Sequence, residues 1–384
     1  MKTIPYSHQS ISKKDIQVVV HALQSDLITQ GPFIDEFEKA IAEYVGAKYC
    51  VVVNSGTAAL HAAYFACGLQ SGDELLTTPM TFAATSNAAL YLGAVPKFVD
   101  IEPETGNIEI NTLEKNISKR TKMLAPVHYA GQPVDLKTIK TLAKKYNLKI
   151  VEDACHALGA SYENSMIGSC KYSDATAFSF HPVKHITTGE GGAITTNNPE
   201  IYKQLLLFRT HGITKDKKLL IDKTQGDWYY EMHELGFNYR IPDILAALGI
   251  SQLTRIDAFV KKRREIAAKY DVAFKNSPFF DIPPHIPNTK HAYHLYPIRL
   301  KDKYKEKKKI IFSTLREKGL GVQVHYLPVY QHPYYKEHVV KDLLLHNTED
   351  FYIREVSIPI YQDITNKDIE TVIGILNHTF HELS

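Results

Sequence analysis

The chain has 384 residues, with 45 Lys and Arg against 42 Asp and Glu, so its formal charge of +3 disfavours a polyanion-coating role. Its 44% hydrophobic and 23% charged residues, with 18 Pro and 20 Gly, are those of an ordinary globular protein and exclude disordered, collagen-like and disulfide-scaffold classes. At about 150 residues per domain, the length suits two to three units, or one large domain with a smaller one. Cys50, Cys67, Cys155 and Cys170 form no C-x-x-C pair, so no zinc or redox motif is expected, and reduced cytosolic thiols fit best. Met1 to Lys14 lacks the apolar core of a signal peptide, and no run approaches 18 apolar residues. A cytoplasmic protein without a membrane partner is expected. No nucleic-acid recognition motif is present either.

From Tyr49 onward, short apolar runs alternate with helical patterns: Tyr49 to Val53 then Ser55 to Cys67, Leu75 to Thr78 then Phe82 to Leu92, and Lys122 to His128 then Asp135 to Tyr146. Lys149 to Glu152 and Ala175 to Phe180 read as further strands. Parallel strands need crossover connections, so this alternation predicts an α/β fold with a mostly parallel sheet covered by helices. Ile241 to Tyr270 reads as one long helix able to bridge two domains, with Lys261 to Arg264 facing solvent. A Pro-rich stretch follows. Beyond it come a strand over Tyr293 to Leu300, a solvated Lys-rich turn over Lys301 to Lys309 and a helix over Lys307 to Lys318. A strand over Val322 to Tyr326 and a terminal helix over Lys367 to His381 complete a smaller α+β C-terminal domain. The expected division is residues 1–255 and 256–384.

Three motifs carry chemistry. Asn54-Ser55-Gly56-Thr57-Ala58-Ala59-Leu60 follows a buried strand and opens a helix, so free amides, two hydroxyls and the positive helix end converge where a phosphate could sit. Ser-Gly-Thr is equally an ordinary N-cap. Val151-Glu152-Asp153-Ala154-Cys155-His156 places carboxylates at the carboxyl end of a strand, the edge at which open α/β sheets bind ligands. The pair could also cap a helix, and His156 could be a satisfied core histidine. Lys184 stands in the uncharged stretch between Ser179-Phe180 and Gly189-Glu190-Gly191-Gly192, and a desolvated lysine is a competent amine nucleophile.

The ordered set of phosphate loop, strand-end aspartate and lysine resembles the fold-type I enzymes of pyridoxal phosphate. Specifically, it resembles the DegT/DnrJ/EryC1/StrS family of sugar-nucleotide aminotransferases. Thr77-Thr78-Pro79-Met80-Thr81-Phe82-Ala83-Ala84-Thr85 and Gly236-Phe237-Asn238-Tyr239-Arg240 add to the resemblance, which covers nearly the whole chain. Tyr6, Leu27-Ile28-Thr29-Gln30-Gly31 and Gly321-Val322-Gln323-Val324-His325-Tyr326-Leu327-Pro328 resemble the branch acting in pseudaminic acid biosynthesis. His185 departs from the proline that follows the lysine in many relatives. The retained lysine argues against the related dehydratases, which carry histidine in its place.

The resemblance implies pyridoxal 5'-phosphate as cofactor, with pyridoxamine phosphate as its intermediate form. Lys184 would be the covalent and proton-moving amine, and Asp153 the partner of the pyridine nitrogen. Ser55, Gly56, Thr57 and Ser179 would hold the phosphate, Phe82 would stack on the ring, and His156 would lie near its phenolic oxygen. Asn238 would reach the phosphate of a neighbouring subunit, making a homodimer with shared active sites. Tyr6, Asp26, Leu27, Ile28, Thr29, Gln323, Val324, His325 and Tyr326 would contact substrate. The implied reaction moves an amino group from L-glutamate to C4 of a UDP-linked 4-keto-6-deoxy-N-acetylhexosamine, giving UDP-4-amino-4,6-dideoxy-N-acetyl-β-L-altrosamine. The alternatives are a GDP- or dTDP-linked keto sugar or, remotely, a non-catalytic protein of the same fold.

Overall fold

Along the first strand, β1 (Tyr49–Val53), consecutive side chains enter two different cores: Cys50 and Val52 lie in one, Val51 and Val53 in the other. A strand whose side chains alternate between two buried faces must read as a continuous apolar run, as this one does. In the computed structural model, which describes residues 3–383, the flanking helices are α1 (Lys13–Leu23), α2 (Pro32–Val45) and α3 (Gly56–Ala66). Helix α2 has Pro32 in its first turn and ends at Gly46, whose φ of 79° needs the freedom of glycine. Helix α3 is capped by Ser55, whose side chain accepts from the Ala58 amide at 3.0 Å.

The remaining sheet strands are β2 (Glu74–Thr77), β3 (Val95–Phe98), β4 (Thr121–Ala125), β5 (Lys149–Asp153), β6 (Ala175–Ser179) and β7 (Gly192–Thr196). They form one seven-stranded sheet in the order β1-β7-β6-β5-β4-β2-β3. Pairing is parallel from β6 through β3, while β7 runs antiparallel to both β6 and β1. Helix α4 (Ala84–Leu90) follows β2, and α5 (Leu136–Tyr146) precedes β5. Among the described residues no helix is long and apolar enough to cross a membrane.

Where one long helix is expected over Ile241 to Tyr270, two are present, α6 (Asp243–Leu253) and α7 (Ile256–Phe274). The break lies at Arg255 (φ −110°, ψ 1°), whose guanidinium reaches the buried Asp15 at the start of α1. Helix α7 serves two cores: Ile256, Phe259 and Val260 pack under the large sheet, and Ile266, Ala267, Tyr270 and Phe274 pack in the C-terminal core. Between them Arg263 is fully buried rather than facing solvent. It donates to the carbonyls of Tyr293, His294 and Ile360 at 3.1, 3.2 and 2.9 Å, and burial lowers its pKa to about 10. Arg264 is also partly buried, donating to the carbonyls of His291 and Gly159.

The C-terminal sheet is antiparallel and three-stranded, β8 (Phe280–Asp281), β9 (Tyr296–Leu300) and β10 (Glu355–Ile358) in that order. Helices α8 (Lys308–Glu317) and α9 (Asn366–Leu383) complete the core. Contacts cross a division at residue 255, among them the bridge from Ile4, which packs in the C-terminal core, to Leu320 and the pairing of Thr289–Lys290 with Ser161–Tyr162. The Lys-rich segment is not a simple solvated turn, since Tyr304 is buried within it. Val322 to Tyr326 makes only one isolated bridge, Gln323 to Ser357, because the His325 amide donates to the Glu355 carboxylate instead of to a neighbouring strand.

Candidate active site

The carboxyl ends of β1, β5 and β6 open on one cavity of about 440 Å³. Its floor follows from strand alternation on β5. Glu152 points to one face, where it meets the buried His128 Nε2 at 2.8 Å and accepts from Thr176 Oγ1 at 3.0 Å. Asp153 points to the other face and lines the cavity. Its Oδ2 accepts from the Thr85 hydroxyl at 2.6 Å, and its Oδ1 accepts from the Cys155 amide at 3.1 Å. Thr85 is held in turn by Thr81, with 2.8 Å between the two hydroxyl oxygens.

Lys184 enters from the turn after β6. Burial lowers the pKa of its amine from the ordinary lysine value, an effect that the nearby Cys155 and Asp153 oppose. Facing it, the first turn of α3 supplies Ser55, Gly56 and Thr57 beside Ser179 at the end of β6. Unpaired amides at a helix start favour an anion. A Cβ on Gly56 would come within 2.8 Å of Ser179 Cβ and 3.0 Å of its Oγ, so only glycine fits this cradle without displacement.

Aromatic side chains close the remaining wall. Phe82 stands exposed at the mouth, with its ring 6.2 Å from that of Tyr326. Tyr326 Oη lies 3.0 Å from His156 Nε2, and burial depresses the His156 pKa far below that of free imidazole. Tyr6 lies against His325 with ring centroids 5.4 Å apart, and burial raises its phenol pKa. The cavity thus gathers Tyr6, Ser55, Gly56, Thr57, Phe82, Asp153, His156, Ser179, Lys184, His325 and Tyr326.

Seven expected site residues lie outside this cavity lining. Asp26, Leu27, Ile28 and Thr29 form an exposed turn, anchored where the Thr29 carbonyl accepts from the Asp243 amide at 3.2 Å. Gln323 pairs with Ser357 in the C-terminal module, and its neighbour Val324 is likewise absent from the lining. Asn238 is exposed, with its carbonyl accepting from the Asn54 amide group at 3.3 Å. Conversely, sequence reasoning missed Thr85, Cys155 and His294, all of which line the cavity. The His294 ring lies 4.3 Å from that of His156 and 5.8 Å from that of His185. His185, the departure after the lysine, is buried and hydrogen-bonded to the Ala292 carbonyl at 3.0 Å, on the turn that carries His294. Cys155 and Thr85 belong to the strand-end motif around Asp153 and to the Thr77–Thr85 motif, whereas the only sequence signal at His294 is the strand pattern over Tyr293 to Leu300.

A more open hollow of about 700 Å³, lined by residues between Tyr330 and Glu349, gathers none of these groups. Among the described residues no cluster of three or more His, Cys, Asp or Glu side chains could hold a metal ion.

The chain is 43% identical over 372 residues to the UDP-4-amino-4,6-dideoxy-N-acetyl-beta-L-altrosamine transaminase of Campylobacter jejuni, covering 96% of this chain and 95% of that one. Its fold matches Helicobacter pylori PseC, an aminotransferase involved in the biosynthesis of pseudoaminic acid, with a TM-score of 0.94 and 36% identity over 99% of this chain and 100% of that one. It also matches the PLP-form of the putative sugar aminotransferase Spr1654 from Streptococcus pneumoniae, with a TM-score of 0.91 and 28% identity over the full length of both. The profile of the DegT/DnrJ/EryC1/StrS aminotransferase family spans residues 9–377, and the chain belongs to that family.

Proposed function

We propose that this protein is a cytoplasmic, pyridoxal phosphate-dependent aminotransferase. It takes nitrogen from L-glutamate and delivers it to C4 of a UDP-linked 4-keto-6-deoxy-N-acetylhexosamine, giving UDP-4-amino-4,6-dideoxy-N-acetyl-β-L-altrosamine. The observation that carries the reading is the meeting of Lys184, Asp153 and the start of α3 in one cavity, in a chain so similar to a transaminase of that name.

The donor set fits the cofactor. Ser55, Gly56, Thr57 and Ser179 would hold its phosphate in the cradle that a Cβ on Gly56 would fill, and Asp153 would take the pyridine nitrogen. Phe82 would cover one face, and His156 would lie by the phenolic oxygen. Pyridoxal phosphate, when bound, supplies an electron sink for charge that develops at the substrate carbon. Lys184 would bind it through Nζ and, once its amine is free, take and return a proton at that atom. The lowered pKa of Lys184 suits both duties, because an unprotonated amine is required for each. Tyr6, His325 and Tyr326 would face the sugar.

Asn238 follows a segment rich in exposed apolar side chains, among them Ile221, Trp228, Leu235 and Phe237. Such a surface suits burial against a second copy. We assign the protein to a homodimer in which Asn238 of the partner subunit completes the phosphate site.

The test is a visible absorbance spectrum of purified protein, taken before and after L-glutamate and then the UDP-linked keto sugar. A band of lysine-bound cofactor that bleaches with glutamate and returns with the sugar supports the assignment. A band that returns only with a GDP- or dTDP-linked keto sugar would discard the UDP substrate, and bleaching by no amino donor would favour a non-catalytic protein.

A further inference from the structure

Behind the sugar-facing wall, His325 is tied to two buried residues of β10. Its Nδ1 lies 2.9 Å from Ser357 Oγ, and Ser357 Oγ lies 2.5 Å from Glu355 Oε1. The second carboxylate oxygen, Oε2, accepts from the His325 main-chain amide at 2.8 Å. Tyr129 holds the other side of the same residue, its hydroxyl donating to the His325 carbonyl at 2.5 Å. Glu355, Ser357 and Tyr129 are fully buried, so water does not complete these bonds.

A serine has one hydroxyl hydrogen. Given to Glu355, it leaves only lone pairs for His325, so the imidazole must carry its proton on Nδ1. Burial pushes the Glu355 carboxyl up to about 7, a rise opposed by the Lys308 ammonium, which itself donates to the Tyr352 carbonyl at 2.5 Å, and by the bonds from Ser357 and the His325 amide, so the carboxylate that this arrangement requires is the form present above about pH 7. Nδ1 is thereby used on the buried side of the ring, and Nε2 is the remaining polar atom of a side chain that lines the cavity.

We propose that Glu355 and Ser357 are positioning residues that lock His325 in its Nδ1–H tautomer, so that Nε2 recognises the nucleotide sugar by accepting from one of its hydroxyl or amide N–H groups. A ligand presenting only an acceptor at that point is rejected, because two facing lone pairs repel and neither finds a donor. The identity of the ligand rests on the aminotransferase reading above; the tautomer does not.

The experiment uses holoenzyme labelled with ¹⁵N-histidine, with the His325 signals assigned by their loss in His325→Gln. Wild-type His325 is expected to show a protonated Nδ1 and an unprotonated Nε2. Ser357→Ala should lose that preference, and Ser357→Thr, which restores the hydroxyl, should regain it. In steady-state kinetics Ser357→Ala should raise KM for the UDP-linked keto sugar about tenfold, more than it lowers kcat, as expected for one lost hydrogen bond. Ser357→Thr should recover most of the loss. A wild-type His325 protonated on Nε2, or a Ser357→Ala enzyme whose KM for the sugar is unmoved, would overturn the proposal. Failure of the wild type to use any UDP-linked sugar would instead strike the substrate assignment, and it would show before any variant is made.

Discussion

The Thr85 hydroxyl reaches across from the start of α4 to Oδ2 of Asp153 at 2.6 Å, so the aspartate assigned to the cofactor is aimed by a residue 68 positions earlier in the chain. With its hydrogen given to Asp153, the Thr85 oxygen accepts from Thr81. Thr85→Val keeps the shape of the side chain and leaves a buried carboxylate oxygen without its donor, at a cost of about 1–3 kcal/mol. We expect kcat/KM to fall roughly tenfold or more, and Thr85→Ser to restore most of it. Equal activity in the Val and Ser variants would show that the bond does not position Asp153.

Lys184→Ala removes the only amine among the residues that line the cavity. Turnover should fall by a factor of about 10² to 10⁴ or more, since a positioned proton carrier alone contributes that much. Borohydride treatment should add the mass of one cofactor to the wild-type chain and none at this position to the variant. Turnover near the wild-type level would remove Lys184 from the reaction.

Much of the site was legible because the chemistry sits at strand ends. The phosphate loop, Asp153 and Lys184 each follow or end an apolar run, and parallel strands bring their carboxyl ends to one edge. The antiparallel β7 was not legible, because the short segment Gly192 to Thr196, with two threonines among its five buried residues, carries no mark of its direction. Only the family resemblance, and not the strand pattern, separates Glu152 from Asp153 in role. Alternation places them on opposite faces, but only the fold shows that His128 and Thr176 occupy one face and the cavity the other. Arg263 looked like part of a basic surface run, and its burial follows from three carbonyls supplied by segments up to 97 residues away. At Asp26 to Thr29 the matching motif forms an exposed turn outside the cavity lining, and a motif alone does not say which surface its side chains meet.

Gly56→Ala tests the phosphate cradle without touching any charged group. The new methyl meets Ser179 Cβ at 2.8 Å, and displacing a strand-end residue is an overpacking change costing about 1–3 kcal/mol. The strain falls where the phosphate would sit, so cofactor affinity should weaken roughly tenfold, measured by fluorescence titration of apoprotein with pyridoxal phosphate. Affinity equal to wild type would place the phosphate elsewhere.

Acid should destabilise the fold through its buried neutral histidines, and His61 gives the clearest case. It is enclosed by Tyr91, Phe208, Phe237 and Tyr239, with Nδ1 2.9 Å from the Tyr239 hydroxyl, and burial lowers its pKa from 6.5 to about 4. Between those two values the unfolded chain binds a proton that the folded chain does not. Stability from this group is therefore complete above about pH 6.5 and is lost as pH falls toward 4, by at most about 1.4 kcal/mol per pH unit. Urea unfolding of apoprotein at fixed concentration, repeated from pH 7.5 to 4.5 (about the range in which an ordinary histidine titrates), should show this decline. His61→Gln retains a hydrogen-bonding amide but cannot titrate, so its stability should fall less steeply over the same range. Parallel slopes for the two proteins would mean that His61 is protonated in the folded state and that its burial does not set its charge.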